Sequence, residues 1–539
     1  MAETAGGQVT DTAVPAVPPA VEDPARIVEM AARGMLVSYW ARQRGDAPAV
    51  LSPRGNRTFE ELNANANRLV HLLRGAGLSA GSPVALLCGN IPQFIETVVA
   101  CQRAGFRYTP INWHLAADEV AYILDDCDAE ALVIEAQFLE KVAGAQTPLL
   151  KARLCVGGSA EGFADFDQGL QSQSGDDPAD PVLGKSMLYT SGTTGRPKGV
   201  IKEGAPILLP QGEGTRANYQ AGDVQLLCGP AYHAAPLAFD IAIPLASGAA
   251  VSMMERFDPA EALTLIARQR VTHSHMVPTM FQRLLALPPE IKQQADTSSL
   301  RLVIHGAAPV TPEVKRAMID WWGPIFYEYY ASTEASANIG ITSEEWLERP
   351  GSVGRLLPEF GACVLDEQGK PCAPGVPGQV SFRQPATGRV SYFKADEKNR
   401  EVFSGDYYTV GDIGYVDEDG YLFLTGRSAE TIISGGVNIY PQEIDNALQR
   451  HPAVRQSCTV GVPSVDWGED VRGVVSLNPG YEPSQELTDA LIAMARDTLA
   501  PYKVPREIDY LDDIPISPAG KTERRKVREH YWQGRARGI

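Results

Sequence analysis

The feature that most constrains the fold is a regular alternation of helix-length amphipathic segments with short apolar runs. Residues 59–76 place leucine and alanine at the three- and four-residue spacing of one helix face, and the apolar run 83–88 follows directly. A second helical pattern at 91–104 and a strand-like run at 131–134 continue the alternation. Strands separated by helices build parallel sheets with helices on their faces. The chain is therefore predicted to have an α/β fold with two helix-covered sheets.

The same pattern continues beyond residue 184 and changes near Gly351. Residues 186–190 and 301–305 have the character of strands, and residues 259–270 have that of a helix. Beyond Gly351, short strands alternate with glycine and proline turns, which is typical of a small antiparallel or barrel-like unit. These short strands are predicted at 361–365, 378–382 and 420–424.

The end of the chain has a mixed α+β pattern of its own. At 539 residues the chain exceeds what one hydrophobic core usually holds, which favours several structural units. The predicted C-terminal elements are a helix at 441–450, strands near 457–460 and 471–477, and a helix at 485–499. The predicted domains are a disordered leader at 1–25, a large N-terminal domain at 26–426, and a small, mobile C-terminal domain at 427–539.

The predicted leader is rich in alanine, proline, valine, threonine and acidic residues. It lacks the basic and continuous apolar regions of a signal peptide, so we expect it to be disordered. No apolar run in the chain approaches the ~20 residues that a membrane-spanning helix needs. We therefore expect a cytoplasmic protein without stable membrane insertion.

Charge and cysteine placement narrow the range of partners. The formal net charge of −18 disfavours nucleic acid and anionic membrane surfaces, but not nucleotides, which local groups hold. The eight cysteines are scattered without a C-x-x-C pair, which is typical of reduced cytosolic thiols. His273 and His275 lie in a strand-like run, where ordinary strand or pocket histidines are favoured over a metal site. The basic run 524–526 is expected to be a solvated, charged surface.

A loop rich in glycine and hydroxyl residues follows the predicted strand at 186–190. Its sequence over 189–198 is Tyr-Thr-Ser-Gly-Thr-Thr-Gly-Arg-Pro-Lys. Glycines let the backbone approach a polyanion, and successive N–H and hydroxyl groups can donate to phosphate oxygens. It is not a Walker A loop, because Gly199 rather than Ser or Thr follows Lys198. By itself the loop predicts a flexible polar turn that meets a phosphate-rich ligand.

This loop resembles the signature loop of the adenylate-forming superfamily, which contains acyl-CoA synthetases, luciferases and peptide-synthetase adenylation domains. Further motifs occur in the order of that family, and the resemblance covers the chain from about residue 35 to its end. Within the family it is strongest to fatty-acid and aryl-acid CoA ligases. The motifs are Gly-Ala-Ala-Pro at 306–309, Tyr-Ala-Ser-Thr-Glu at 330–334, Tyr-Thr-Val-Gly-Asp at 408–412, Gly-Arg at 426–427, and Pro-Ile-Ser-Pro-Ala-Gly-Lys at 515–521.

The resemblance implies a site for ATP and AMP. It assigns the ribose hydroxyls to the Asp412 carboxylate, whose two oxygens suit a vicinal diol, and a further nucleotide contact to Arg427. It places residues 306–309 against adenine. The implied nucleotide-binding residues are Thr190, Ser191, Gly192, Thr193, Thr194, Gly195, Lys198, Gly306, Ala307, Ala308, Glu328, Tyr329, Tyr330, Thr333, Asp412 and Arg427.

The reaction implied by the resemblance begins when a carboxylate attacks the α-phosphate of ATP, which gives acyl-AMP and pyrophosphate. Because two anions must meet, the catalyst has to supply positive charge and positioned donors. The resemblance makes Thr333 a phosphate-side hydroxyl and Glu334 a carboxylate that associates with Mg²⁺. Lys521 becomes the bridging cation, a role that suits a compact ammonium on a long stem. The implied cofactors and cosubstrates are ATP, Mg²⁺ and coenzyme A.

The second half-reaction implied by the resemblance is attack of the coenzyme A thiol on acyl-AMP. In the family the C-terminal domain rotates between the two steps, and the segment 432–441 matches residues that line the pantetheine passage. The hinge position is Ala429, where many relatives have Asp or Lys, although a small residue also serves as a hinge. The implied coenzyme A-binding residues are Ser434, Gly435 and Gly436.

The acyl pocket implied by the resemblance is apolar and aromatic. His233 matches a catalytic gating position between the acyl pocket and the thiol tunnel, with a packed pocket histidine as the alternative. Ala331 stands where the family usually has glycine. The pocket shows no obvious cation, which favours a hydrophobic or aryl acid over a diacid or an amino acid. The implied residues are Tyr232, His233, Ala235, Phe239, His275, Val277, His305, Tyr329 and Ala331.

Two alternatives remain open at this point. In the first, the acyl group passes to an amine or to a carrier-protein thiol, which the departures at Ala331 and Ala429 leave room for. In the second, the chain is a non-catalytic relative, which is disfavoured by the intact motif residues Thr333, Glu334, Asp412, Arg427 and Lys521. The expected partners are small molecules (a carboxylic acid, ATP and coenzyme A), and a homodimer is left open.

Overall fold

The computed structural model describes residues 24–190, 197–204, 207–334, 339–356, 361–384, 389–403, 407–435, 437–518 and 520–533. The α-helices are α1 (Pro24–Ala32), α2 (Leu36–Arg44), α3 (Phe59–Gly75), α4 (Pro92–Ala104), α5 (Ala117–Asp126), α6 (Phe166–Gln171), α7 (Ile243–Ala246), α8 (Pro259–Gln269), α9 (Pro278–Leu285), α10 (Pro289–Gln294), α11 (Pro312–Trp322), α12 (Ser343–Glu348), α13 (Asp396–Phe403), α14 (Pro441–Leu448), α15 (Gln485–Thr498) and α16 (Arg524–Tyr531).

The strands are β1 (Pro48–Leu51), β2 (Arg57–Thr58), β3 (Pro83–Leu87), β4 (Arg107–Pro110), β5 (Ala131–Glu135), β6 (Ala152–Val156), β7 (Ala164–Asp165), β8 (Lys185–Ser186), β9 (Leu188–Thr190), β10 (Lys198–Glu203), β11 (Val224–Leu227), β12 (Ala250–Met253), β13 (His273–Met276), β14 (Leu302–Gly306), β15 (Phe326–Tyr330), β16 (Ile339–Thr342), β17 (Gly354–Arg355), β18 (Ala362–Leu365), β19 (Gly378–Arg383), β20 (Arg389–Tyr392), β21 (Tyr407–Val416), β22 (Tyr421–Arg427), β23 (Ile432–Ser434), β24 (Val437–Ile439), β25 (Val454–Ser457), β26 (Val460–Ser464), β27 (Gly468–Leu477) and β28 (Glu507–Tyr510).

One parallel sheet has the strand order β7-β6-β5-β3-β4-β8. Every residue of β3 and of β5 is buried. Alternate residues of β3 belong to different apolar clusters, with Val84 and Leu86 in one and Ala85 and Leu87 in the other. Because both faces of β3 are covered, its sequence is a continuous apolar run rather than an alternating one.

A second sheet has the order β16-β15-β14-β13-β11-β12-β1-β2. The strands from β15 to β1 pair in parallel, and β16 and β2 pair antiparallel at the two ends. Helices α8, α9 and α11 contribute Leu263, Phe281 and Met318 to one apolar cluster with this sheet. Open α/β sheets bind ligands at the carboxyl ends of their parallel strands, so that edge of β14 and β15 is the first place to look for a site.

Two small antiparallel sheets have the orders β17-β22-β21-β19-β18 and β20-β10-β9. They contain the short strands that were predicted beyond Gly351. The single strand predicted at 186–190 is wrong, because the run is divided between two sheets. Here β8 pairs with β4 of the parallel sheet, whereas β9 pairs with β10, and the fully buried Met187 separates them.

The end of the chain forms a further sheet, β24-β23-β27-β25, in which β26 and β28 also pair with β27. Helices α14 and α15 pack on it through Ile444 and Leu491. The strand predicted at 457–460 is wrong in its bounds, because β25 ends and β26 begins there. The predicted boundary at Arg427 lies at the last residue of β22.

The predicted fold class is confirmed: an α/β protein with two helix-covered sheets, a small β unit and a small α+β unit at the end of the chain. The predicted leader lies outside the described residues up to residue 23, and α1 begins at Pro24. In the part of the chain that the structure describes, no helix has the length and apolar character to cross a membrane. The eight cysteines are free thiols.

Candidate active site

A cleft of about 2080 Å³ opens where β14 and β15 end. Its wall brings together side chains that are far apart in the sequence, among them His233, Thr333, Asp412 and Lys521. Three of them belong to the predicted motifs at 330–334, 408–412 and 515–521, and His233 is the predicted gating position. The cleft is therefore the place where most of the predicted nucleotide-binding and catalytic residues meet.

Asp412 lies in β21 and is held from both sides. Its Oδ2 accepts a hydrogen bond of 2.6 Å from the Tyr330 hydroxyl, and its Oδ1 accepts one of 2.9 Å from Nε of Arg427. Arg427 is the residue directly opposite on the antiparallel neighbour β22. Burial and the Asp412 charge raise the pKa of the Tyr330 hydroxyl, which keeps it a donor. Each carboxylate oxygen retains lone-pair capacity for a further donor, so this arrangement can also accept from a diol.

Glu334 also lines the cleft, beside two tyrosines. Its Oε1 accepts a hydrogen bond of 3.2 Å from the Tyr392 hydroxyl, and its backbone carbonyl accepts one of 3.3 Å from the Tyr408 hydroxyl. Nζ of Lys198 lies 5.4 Å from the centre of the Tyr392 ring. Thr190 and Lys198 are register partners at the ends of β9 and β10. Lys198 and Glu334 are thus brought to one end of the cleft.

The residues predicted against adenine follow the end of β14. Ala307 has a φ of +64°, an uncommon conformation for a residue with a side chain. A Cβ on Gly306 would lie 2.5 Å from the Tyr329 carbonyl oxygen, so only glycine fits that position. Ala307 and Ala308 line the cleft, together with Glu328.

Glu328 is paired with a cation that the sequence analysis did not single out. Nζ of Lys315, a fully buried residue of α11, lies 2.5 Å from Glu328 Oε2. Burial raises the pKa of Glu328 and lowers that of Lys315, and each charge opposes the shift of the other. A lysine in a helix pattern is usually a solvated charge, so no local signal marks it as the partner of a strand glutamate.

Lys521 reaches the cleft from a turn near the end of the chain. The turn is closed by a 2.7 Å hydrogen bond from the Ser517 N–H to the Lys521 carbonyl. A Cβ on Gly520 would lie 2.6 Å from Thr279 Oγ1 and 2.8 Å from Val277 Cγ2, so the turn packs closely against the start of α9. The glycine of this motif therefore permits the close approach of two distant parts of the chain.

The electrostatic surroundings of Lys521 contain charges of both signs. Burial and the Arg427 guanidinium lower the pKa of Lys521, while Asp412 and Glu334 oppose that shift. The residue as a whole is accessible to solvent, but its ammonium group is surrounded by the walls of the cleft. Lys521 is thus close to the two carboxylates that the sequence analysis assigned to the ribose and to the metal.

His233 and Tyr232 lie side by side in the wall of the cleft, with ring centres 4.5 Å apart. Burial, with the Lys521 charge and His114, lowers the pKa of His233 to about 4. Nε2 of His233 and the Tyr232 hydroxyl have no hydrogen-bond partner among the described residues. At neutral pH His233 is therefore an uncharged imidazole with an unused ring nitrogen.

Three residues of the predicted acyl pocket form an aromatic group. The ring centres of Phe239 and Tyr329 are 5.0 Å apart, those of Phe239 and His275 are 5.6 Å apart, and His275 and Tyr329 are also in contact. Nε2 of His275 lies 3.1 Å from the Tyr329 hydroxyl oxygen. Val277 is buried and Ala331 lines the cleft, whereas Ala235 is half-buried and does not line it.

A buried carboxyl group that no sequence motif indicated lies behind this aromatic group, next to His275. Asp240 is fully buried in the π-helix Pro236–Ala242, where Oδ1 accepts from Gln225 Nε2 and from the His275 backbone N–H. Its Oδ2 lies 3.7 Å from His275 Nδ1, and neither atom has a hydrogen-bond partner among the described residues. The only sequence signal was an aspartate in an otherwise apolar run, which argues for a polar partner once it is buried.

His305 is not brought to the aromatic group. It is the register partner of Glu328, whereas Gly306 is the register partner of Tyr329. Alternate residues of a strand point to opposite faces, so His305 lies on the other face of the sheet, where its ring contacts Phe281. The placement of His305 in the acyl pocket is therefore not supported by the geometry.

The residues predicted to bind coenzyme A are also separate from the cleft. Ser434 ends β23 and Gly435 follows it with a φ of +58°, and neither of them lines the cleft. Gly435 instead packs on Trp467, whose ring would lie 2.7 Å from an added Cβ. Five residues of the predicted phosphate loop and one coenzyme A residue lie outside the described residues: Ser191, Gly192, Thr193, Thr194, Gly195 and Gly436.

The predicted hinge residue, Ala429, lies in a short 3-10 helix, Ser428–Glu430, and is exposed. The neighbouring Glu430 forms an ion pair with Arg524, with Oε2 of Glu430 3.0 Å from Nε of Arg524. Arg524 also pairs with Asp445, with Nη2 2.8 Å from Oδ2. The prediction that 524–526 is a solvated surface is wrong for Arg524, which is buried and ion-paired with Glu430 and Asp445. Periodicity alone does not distinguish such a residue from its exposed neighbours.

Two family models match the chain. The one described as AMP-binding enzyme matches residues 37–392, and the one described as AMP-binding enzyme C-terminal domain matches residues 443–521. The chain belongs to the AMP-binding enzyme family. The resemblance to adenylate-forming enzymes is thereby confirmed.

Members of the family match this chain over nearly its whole length. It is 31% identical over 517 residues to a fatty acid–[acyl-carrier-protein] ligase from Streptomyces coeruleorubidus, which covers 93% of this chain and 97% of that relative. It is 32% identical over 506 residues to a feruloyl-CoA synthase from Amycolatopsis sp, with 91% and 97% covered. A crystal structure of an anthranilate CoA ligase in complex with anthranoyl-AMP matches with a TM-score of 0.81 and 25% identity, over 93% of this chain and 97% of that one.

Proposed function

We propose that the chain is an AMP-forming carboxylic acid–coenzyme A ligase that acts on a hydrophobic fatty or aryl acid. The observation that carries this proposal is the convergence of Lys521 with Glu334 and Asp412 in one cleft. A cation that can approach a carboxylate and a phosphate together is what the first half-reaction requires. The names of the aligned relatives, which include a feruloyl-CoA synthase and an anthranilate CoA ligase, support this reaction class.

In the first half-reaction, a carboxylate oxygen of the acid forms a bond to the α-phosphorus of ATP, and the bond to pyrophosphate breaks. We assign the ribose hydroxyls to Asp412, which Tyr330 and Arg427 hold in place. We assign to Lys521 the charge that reduces repulsion between the two anions. Its position near the Asp412 and Glu334 carboxylates supports this role, because fixed charges in a partly buried site act without reorganisation.

A magnesium ion fits this site through Glu334. Mg²⁺ is bound in proteins through one or two carboxylates together with substrate phosphates, rather than by an all-protein cage. Among the described residues, no group of three His, Cys, Asp or Glu side chains could hold a metal by itself. Glu334 Oε1 already accepts from Tyr392, which orients the carboxylate and leaves its other oxygen for a ligand. The ion would supply charge neutralisation at the phosphates.

In the second half-reaction, the thiol sulfur of coenzyme A forms a bond to the acyl carbon, and AMP leaves. We assign to His233 a contact with the incoming thiol, because its neutral ring lies in the cleft wall and its buried Nε2 has no partner among the described residues. The separation of Ser434 and Gly435 from the cleft supports a second arrangement of the C-terminal part for this step. The eight free cysteines support a reducing compartment, which we propose to be the cytoplasm.

The experiment that tests the proposal is a panel of carboxylic acids with ATP and Mg²⁺, read by pyrophosphate and AMP release. We expect acid-dependent pyrophosphate release, and acyl-CoA formation on adding coenzyme A. A carrier-protein thiol and a set of amines replace coenzyme A in parallel reactions, because one relative is an acyl-carrier-protein ligase. Faster transfer to either alternative acceptor would reassign the second half-reaction but not the first.

Lys521→Ala is the variant that tests the site. We expect it to lose pyrophosphate release by several orders of magnitude while it still transfers the acyl group from supplied acyl-AMP. Arg525→Ala is the matched control, because it also removes one positive charge from the same segment but from an exposed side chain outside the cleft. Equal activity of the two variants in the first half-reaction would contradict the assignment.

A further inference from the structure

A chain of hydrogen-bonding side chains runs from the interior of the second sheet to the wall of the cleft. The Tyr219 hydroxyl donates to Gln225 Oε1 at 2.6 Å, and Gln225 Nε2 donates to Asp240 Oδ1. Asp240 Oδ2 faces His275 Nδ1, and His275 Nε2 bonds to the hydroxyl of Tyr329. Tyr219 closes the chain at the buried end, and Tyr329 ends it at the cleft.

The proton positions along this chain follow from the acceptors at Asp240. Its Oδ1 already accepts two N–H donors, one from Gln225 and one from the backbone of His275. Oδ2 has no hydrogen-bond partner among the described residues, and burial holds the pKa of the Asp240 carboxyl well above its usual range, so we place a carboxyl proton on Oδ2. The atom that faces Oδ2 is His275 Nδ1, which has no other partner among the described residues. Shortening the 3.7 Å gap between them satisfies both atoms at once.

The state of His275 then fixes the direction of the last bond. Burial lowers the pKa of His275 to about 3, so the ring is neutral and has one N–H group. With Nδ1 accepting from Asp240, the ring proton is on Nε2, which donates to the Tyr329 oxygen. The hydroxyl proton of Tyr329 then has no acceptor among the residues that the structure describes, and Tyr329 lines the cleft.

We propose that Tyr329 donates a hydrogen bond to the acid, and that the preferred acids are aryl acids with an acceptor oxygen, such as a methoxy or carbonyl group, on the ring. This inference rests on the proposed function and specifies its substrate class. The ring of Tyr329 lines the cleft, where an aryl acid can pack on it, and the tilted rings of Phe239 and His275 support it from behind. An acid without an acceptor would leave a buried hydroxyl donor unpaired, which disfavours it by about tenfold or more.

The test compares two pairs of acids of nearly equal shape, in which a methylene of one acid replaces the ether oxygen of the other. The pairs are 4-methoxycinnamate with 4-ethylcinnamate, and 3-methoxycinnamate with 3-ethylcinnamate. The readout is the ratio of kcat/KM for pyrophosphate release within each pair. We expect at least one methoxy acid to be preferred by about tenfold in the wild-type enzyme. In Tyr329→Phe, which keeps the ring, we expect that ratio to fall to about one.

Two variants test Asp240 as a positioning residue. Asp240→Asn places an N–H donor where the acid proton was, so we expect the methoxy preference to be retained. Asp240→Ala removes the donor and frees the His275 tautomer, so we expect the preference to be lost. A loss of preference in Asp240→Asn would overturn the proton assignment, and it can be read even where the alanine variant does not fold.

The outcomes separate this inference from the proposed function. If ethyl and methoxy acids are activated equally well, or if Tyr329→Phe keeps the wild-type ratio, the inference is wrong and the ligase assignment stands. If no carboxylic acid gives pyrophosphate release, the proposed function is wrong and the inference falls with it.

Discussion

The turn that carries Lys521 packs on the start of α9, and we expect Gly520→Ala to weaken that contact. Gly520 has a φ of +76°, and an added Cβ would lie 2.6 Å from Thr279 Oγ1 and 2.8 Å from Val277 Cγ2. Both distances are shorter than non-bonded contacts between such atoms, so the turn or α9 has to move. Movement of the turn displaces Lys521 from the cleft.

The expected magnitude has two parts with different consequences. A left-handed conformation costs an alanine about 1–2 kcal/mol, but it costs this whether or not the turn is docked on α9. The overlap with Val277 and Thr279 exists only in the docked arrangement, and inserting a methyl group into a packed contact typically costs about 1–3 kcal/mol. Since about 1.4 kcal/mol is a factor of ten in rate, adenylate formation should fall roughly tenfold to a hundredfold.

The assay measures the two half-reactions separately, as acid-dependent pyrophosphate exchange and as acyl transfer from supplied acyl-AMP. We expect Gly520→Ala to slow only the first. Gly480→Ala is the matched control, because Gly480 also has a positive φ, of +91°, but no atom within 4 Å of an added Cβ. It carries the conformational cost without the overlap, so its pyrophosphate exchange should stay near that of the wild type.

Adding Thr279→Ala to Gly520→Ala removes the atom of the shorter overlap, and we expect part of the lost exchange activity to return. The reasoning is refuted if Gly520→Ala and Gly480→Ala affect pyrophosphate exchange equally. It is also refuted if Gly520→Ala slows both half-reactions by the same factor, because the overlap exists only where the turn meets α9.

Two further predictions concern buried titratable groups. Lys315→Ala leaves the Glu328 carboxylate without its buried partner and should lower the free energy of unfolding by about 3–5 kcal/mol in urea titrations. The double variant Lys315→Met with Glu328→Gln should recover most of that loss. A loss below about 1 kcal/mol in Lys315→Ala would contradict the buried pair. Burial lowers the pKa of His273 to about 4, so between pH 6.5 and pH 4 the unfolded chain binds more protons than the folded one. The free energy of unfolding should therefore decrease as the pH is lowered through this range, by about 3 kcal/mol at most. His273→Gln should flatten that dependence, and an unchanged slope in the variant would show that another group titrates.

The elements that the sequence predicted well are those in which the spacing of apolar residues follows one buried face of a single helix or strand. The helix α3 was predicted at 59–76 and spans Phe59–Gly75, because its apolar residues follow one face of a single helix. The motif residues Asp412 and Lys521 were assigned from family resemblance, and the structure places both in one cleft. Nothing in the local sequence around Lys521 indicates that the adjacent Gly520 packs against Val277, because this contact depends on packing between distant parts of the chain.

The errors and omissions in the acyl pocket have a common physical origin. His305 and His275 both look like pocket residues in the sequence, but strand register places His305 with Glu328 on one face of the sheet and His275 with Tyr329 on the other. Asp240 was missed because its partners are contributed by other elements, and a single polar residue in an apolar run has no periodic signal. Register and tertiary hydrogen bonds, rather than composition, decide these cases.

Strand β15 connects the proposed nucleotide side of the cleft with the proposed acyl side. Its successive residues Glu328, Tyr329 and Tyr330 alternate between the two faces, so Glu328 pairs with Lys315, Tyr329 bonds His275, and Tyr330 bonds Asp412. A change that shifts this strand by a fraction of an ångström therefore moves Tyr329, in the proposed acyl pocket, together with Tyr330, which holds the proposed ribose-binding carboxylate. We therefore expect acid selectivity and nucleotide affinity to be coupled through this strand, and substitutions intended to change the acid should be screened for their effect on the KM for ATP.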